Sequence, residues 1–167
     1  MYTLYLVSVW LHLLAAIVWI GGMAFVAFVL APYVRRPGQR QMGIAIIRWT
    51  GMRFRTIGWI CIGMLLGSGL LNLAYRGSGW QDLTGAFWRT VFGRTMAVKL
   101  LLVVSILGLS VVHDFFIGPR AGELGHLDPD SPKTRRLRQQ AAWIGRVNFL
   151  LALVVVALAV TLVRGWP

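Results

Sequence analysis

The sequence predicts an all-α polytopic membrane protein: a bundle of four transmembrane helices with both termini outside. Three observations carry this reading. Hydrophobic residues make up 57% of the 167 residues and charged residues 13%, against about 25% charged in an ordinary soluble domain. Mean hydropathy is +0.70. Four apolar runs reach the roughly 20 residues that a hydrocarbon core requires, and the basic residues fall unevenly between them. The chain reads as a single integral domain over residues 1–167.

The first span runs from about Leu4 to Leu30. It lacks a basic leading region, and its apolar run is too long for a cleaved signal peptide. The second runs from about Ile57 to Tyr75, the third from about Met96 to Phe116, and the fourth from about Trp143 to Val163. The one cysteine, Cys61, excludes an internal disulfide.

Charge sets the expected orientation. The first loop holds Arg35, Arg36, Arg40, Arg48, Arg53 and Arg55; the third holds Arg120, Lys133, Arg135, Arg136 and Arg138. The second loop holds Arg76, Arg89 and Arg94, and the C-terminus Arg164. Eleven against four places loops one and three in the cytoplasm and both termini on the periplasmic side of a bacterial-type inner membrane. A net charge of +12 can signal nucleic-acid binding. Here the basic residues flank apolar runs, so the lipid bilayer is the expected partner and no nucleic acid is.

The loops carry further expectations. Gly43 to Arg55 mixes Ile44, Trp49 and Phe54 with arginines, which suits either a basic helix on the inner lipid surface or a long cytoplasmic end of span two. Trp80, Phe87, Trp88 and Phe92 suit an aromatic belt at the outer interface in loop two, on a short helix, with the lining of a binding site as the alternative role. Pro119 to Lys133 reads as a solvated connector, with His126 an ordinary loop histidine.

Ionisable and polar groups inside the spans are the functional candidates. With about 1.5 Å of rise per residue, the topology brings His12, Lys99, Ser68 and Asn72 to similar depth in the outer half. Trp19 lies seven residues from His12 and shares its face. His113 lies about 21 Å further along span three than Lys99, near Asp114, where Arg146 and Asn148 of span four become available; Asp114 and Arg146 suit an ion pair. Each candidate also has a structural reading. His12 suits a hydrogen bond to a carbonyl of a neighbouring helix, Lys99 a snorkelled ammonium, and His113 with Asp114 a helix end. Cys61 and Met64 are a weak soft-metal cue beside an ordinary core role. Histidines inside a membrane bundle suit haem b or copper, whereas hydrolysis and phosphoryl transfer have no visible machinery.

Trp10-Leu-His12-Leu-Leu-Ala-Ala-Ile-Val-Trp19-Ile-Gly-Gly22 resembles the first span of the copper-resistance D membrane domain. Gly67-Ser-Gly-Leu-Leu-Asn72, Ala97-Val-Lys99-Leu-Leu-Leu with the later His113, and Arg146-Val-Asn148 resemble its following spans. The pattern is also similar to the haem-dependent protoporphyrinogen oxidases of the HemJ type. The resemblance implies a haem ligand at His12, with His113 as the other metal-ligand candidate. Trp19 and Asn72 would lie beside the cofactor, and Lys99 would be the essential catalytic partner of an oxidoreductase acting on a porphyrinogen. The oxidases usually carry a further histidine after the first span, where this chain reads Ala31-Pro-Tyr-Val-Arg-Arg36. The copper-resistance resemblance implies copper transport or handling instead. A structural accessory subunit of a larger membrane complex, with or without self-association, is the third reading.

Overall fold

The computed structural model describes residues 2–34, 36, 40–75, 87–128 and 131–164. Among these the chain is helical, with no strand. Four helical stretches are long and apolar enough to cross a membrane: Tyr2–Val34, Ala45–Tyr75, Val91–Gly125 and Pro132–Arg164. A 33-residue helix is about 50 Å long, against a hydrocarbon core of about 30 Å. Each helix therefore runs past the expected span into the headgroups and water.

The chain divides into two compact units, residues 1–87 and 88–167. Each is a helical hairpin. Hairpin 1 pairs α1 (Tyr2–Phe25), continued by a π-helical turn (Val26–Leu30) and α2 (Ala31–Val34), with α3 (Arg40–Tyr75). Its seam runs from Tyr5 against Tyr75, ring centroids 5.9 Å apart, to Gly22 against Phe54. A Cβ at Gly22 would stand 2.1 Å from Phe54 Cε2, so the ring occupies the space that only glycine leaves. Ser8, Ala15 and Trp19 of α1 and Cys61, Ile62 and Ser68 of α3 are buried, while Trp10, Ile17 and Leu70 are exposed. This lipid-facing apolar surface is the ordinary exterior of a spanning helix.

Hairpin 2 pairs α4 (Val91–Val111), a π-helical turn (Val112–Ile117) and α5 (Gly118–Leu127) with α6 (Pro132–Arg164). Thr90 caps α4: its hydroxyl accepts from the Gly93 N–H at 3.0 Å. The expected short helix of loop two is a 3₁₀ turn, Phe87–Arg89; Trp80 and Arg76 lie outside the described residues.

Both π turns have one cause. Ala31 N–H donates to Val26 O and Gly118 N–H to His113 O, each five residues back. Each donor precedes a proline, Pro32 or Pro119. A proline has no N–H, and its ring crowds the carbonyl four residues back. The preceding turn widens to accommodate it.

Two loop expectations are settled by α3 and α5. Residues 43–55 continue α3 without a break, so they are the extended end of span two and not a separate surface helix. The segment from Pro119, expected as a solvated connector, is helical to Leu127, with Pro119, Arg120, Glu123 and Leu127 exposed. Pro119 stands in the first turn of α5, where no intrahelical N–H is needed. His126 is therefore in a helix. The turn that follows is closed by Thr134, fully buried, whose hydroxyl donates to Asp128 O at 2.8 Å and whose N–H donates to Ser131 Oγ at 3.2 Å.

Candidate functional site

His12 is half-buried on α1, with Ser8, Ala15 and Trp19 on the same face. Its Nδ1 lies 2.9 Å from Ser68 Oγ on α3. The Ser68 hydroxyl donates its one proton to Met64 O. In that arrangement the Ser68 oxygen accepts from His12, which corresponds to the ring tautomer with its hydrogen on Nδ1. A neutral ring in this tautomer presents its lone pair at Nε2. Ser8 Oγ donates to Ser68 O at 3.2 Å, tying the same turn of α3 to α1. Gly69 lies beside the ring: a Cβ there would make van der Waals contact with His12 Cε1, at 3.4 Å.

One turn beyond Ser68 lies Asn72, whose Oδ1 is buried with no hydrogen-bond partner among the described residues. An orphaned amide oxygen costs about 1–3 kcal/mol, so the site has an unmet demand for a donor or a cation. Trp19 is 8% exposed. Its indole packs across Gly58, where a Cβ would stand 3.6 Å from both Cδ1 and Nε1. Cys61 is buried and Met64 exposed. Among the described residues, no three His, Cys, Asp or Glu side chains cluster as a metal cage.

The remaining candidates lie in hairpin 2. Lys99 is half-buried on α4, one turn past the buried Thr95. His113 and Asp114 fall in the π turn, with Nδ1 2.7 Å from Asp114 Oδ1 and the imidazole 36% exposed. The expected Asp114–Arg146 pair finds Asp114 against His113, while Arg146 is exposed. Asn148 is 6% exposed. Its Nδ2 donates to Ser110 Oγ at 2.9 Å, and its Oδ1 is buried without a partner.

The structure thus joins His12 to Ser68, and His113 to Asp114. Sequence reasoning missed Ser8 and Ser110. The signal for Ser8 was present, since it stands four residues before His12. Ser110 carried none, because its partner lies on another helix.

The chain can now be compared with known proteins. Residues 48–162 match the family model for copper resistance protein D. The match takes in most of α3 and all of α4 and α5, and leaves His12 outside it. An uncharacterised protein of Aquifex aeolicus is 26% identical over 157 residues, 93% of each chain. The copper transport protein CutJ of Bacillus subtilis is 31% identical over 104 residues, 62% of this chain but 17% of that protein. This chain therefore matches a small part of the length of that relative. No solved structure matches. Four spanning helices and a family match over more than half of its length make this chain a multi-pass membrane protein of the copper resistance protein D family.

Proposed function

We propose that the protein handles copper within a bacterial-type inner membrane, passing the ion by way of His12. The observation that carries this is the Ser68 hydrogen bond, which holds the imidazole as its Nδ1–H tautomer with the lone pair on Nε2. Histidines that ligate metals characteristically donate the other ring nitrogen in this way. Copper here is cargo, and cargo needs donors it can leave as well as enter. The oriented imidazole and the orphaned Asn72 Oδ1 suit transient contact. The positive-inside rule puts both termini and His12 toward the periplasm. It puts His113, held through Nδ1 by Asp114, toward the cytoplasm as a second imidazole. The copper transport function of the Bacillus subtilis relative supports this reading.

A second reading is haem b with His12 as axial ligand, as in a porphyrinogen-oxidising redox protein. It is favoured by the same Nδ1–H donation, and haem would supply the electron transfer.

The test is an absorption spectrum of the detergent-purified protein, oxidised and reduced, with copper quantified on the same sample. Copper handling predicts bound copper, no Soret band, and loss of copper in His12→Ala. A Soret band lost in His12→Ala would establish the haem reading. A protein that takes up neither would leave the packing-subunit reading.

A further inference from the structure

Hairpin 1 carries a second feature that copper handling does not use. The π turn and the residues behind it border an open recess of about 400 Å3, lined by Phe28, Val29, Leu30, Pro32, Tyr33 and Arg36. Among the described residues that line it, Arg36 carries the charge. The guanidinium carbon stands 6.0 Å from the Tyr33 ring centroid, and the Arg36 N–H donates to Tyr33 O at 3.2 Å. Ring and cation are thereby held together where the apolar lining ends.

The charge around this crevice is one-sided. Residues 1–81 contain seven arginines and no Asp, Glu or Lys. Six of the seven lie between Arg35 and Arg55. Arg36, Arg48, Arg53 and Arg55 are exposed, and Arg53 lies 5.6 Å over the Trp49 ring. An arginine over an aromatic ring is a common arrangement at a headgroup boundary. No carboxylate in this stretch can balance these charges, so their counter-charge comes from elsewhere.

An apolar recess ending in a cation, in a stretch of sequence without carboxylates, is complementary to an anionic amphiphile. A free anion would make no use of the apolar lining. A second copy docking through the same hairpin would set arginines against arginines. We propose that this crevice binds an anionic phospholipid, with an acyl chain along Phe28, Val29 and Leu30 and the headgroup phosphate on Arg36. Arginine recognises phosphate through its planar fork of donors.

Native mass spectrometry of the full chain, released from detergent with added phosphatidylglycerol, phosphatidylcholine or inorganic phosphate, tests this. Wild type should retain phosphatidylglycerol in preference to phosphatidylcholine. Arg36→Gln should weaken that preference about fivefold, the factor equivalent to about 1 kcal/mol per arginine near an anionic surface. Arg36→Lys should restore part of it. Val29→Trp, at an exposed lining position, fills the slot without changing charge and should reduce retention of both lipids. Arg164→Gln, on the other hairpin, should change nothing. Equal retention of the two lipids by wild type would overturn the proposal. So would equal losses in Arg36→Gln and Arg164→Gln, inorganic phosphate bound as well as phosphatidylglycerol, or a lipid-free dimer displacing the lipid.

Discussion

Replacing Ser68 with alanine is the sharpest probe of the His12 site. Alanine keeps the α3 backbone and nearly the same volume, and the Met64 carbonyl keeps its helical N–H donor. What changes is the acceptor 2.9 Å from His12 Nδ1. Two magnitudes compete. An unpaired donor in a dry interior costs about 1–3 kcal/mol. Hydrogen bonds between membrane helices average about 0.6 kcal/mol in double-mutant cycles, with a maximum of about 1.7. His12 is half-buried, so the lower range governs, and Ser68→Ala should destabilise the protein by about 1 kcal/mol. A cycle with His12→Leu, followed by SDS unfolding in mixed micelles, should show a coupling of about 0.6–1.7 kcal/mol. The metal readout is larger, because loss of an outer-shell partner typically weakens metal affinity about 10–100-fold. Competition with a coloured Cu(I) chelator measures this, and Ser68→Thr, which keeps the hydroxyl, should retain most of the affinity. Copper affinity in Ser68→Ala within about twofold of wild type, well short of the outer-shell range, together with no coupling in the cycle, would refute the tautomer argument.

Three further outcomes follow from the packing. Gly22→Ala forces a Cβ into the Phe54 ring and should destabilise hairpin 1 by about 1–3 kcal/mol, as overpacking does; Phe54→Leu in the same chain should recover much of this in the same unfolding assay. Ser110→Ala strands a buried amide whose Oδ1 is already unpaired and should cost about 1–3 kcal/mol. Asn148→Leu removes both polar atoms and should cost less, so an inverted order would show that the Asn148 carbonyl has a partner. Pro119→Ala restores an N–H beside the π turn and should tighten it toward α geometry, read as slowed amide exchange at residues 118–120 and a changed His113 environment in NMR spectra.

The spans were legible because a hydrocarbon core fixes both the length and the polarity of what crosses it. The helix ends were not, because a bilayer boundary is not a helix boundary. Arg48, Arg53 and Arg55 mark where lipid stops, yet α3 starts at Arg40. Pro119 to Lys133 reads as a solvated connector, yet its first part lies within α5, where a first-turn proline does no harm. Depth and helical spacing placed His12, Ser68, Asn72 and Lys99 at one level; that His12 meets the Ser68 hydroxyl was visible only in the coordinates. The Ser110–Asn148 bond was hidden, since depth reasoning named Asn148 but gave no reason to choose its partner. The tautomer of His12 needed coordinates as well, because it depends on where the Ser68 proton goes.

The two π turns have a consequence for how each long helix meets two solvents. An α-helix rotates by about 100° per residue, so a turn with one extra residue shifts the phase of everything beyond it. In hairpin 1 the residues after Leu30, and in hairpin 2 those after Ile117, are therefore turned by one residue relative to the seam that precedes them. They meet the partner helix again at this new phase, Val34 against Gly43 and Gly125 against Arg138. A one-residue deletion inside Val26–Leu30 or Val112–Ile117 would rotate these end contacts away from the partner helix while leaving the membrane-spanning seam in register.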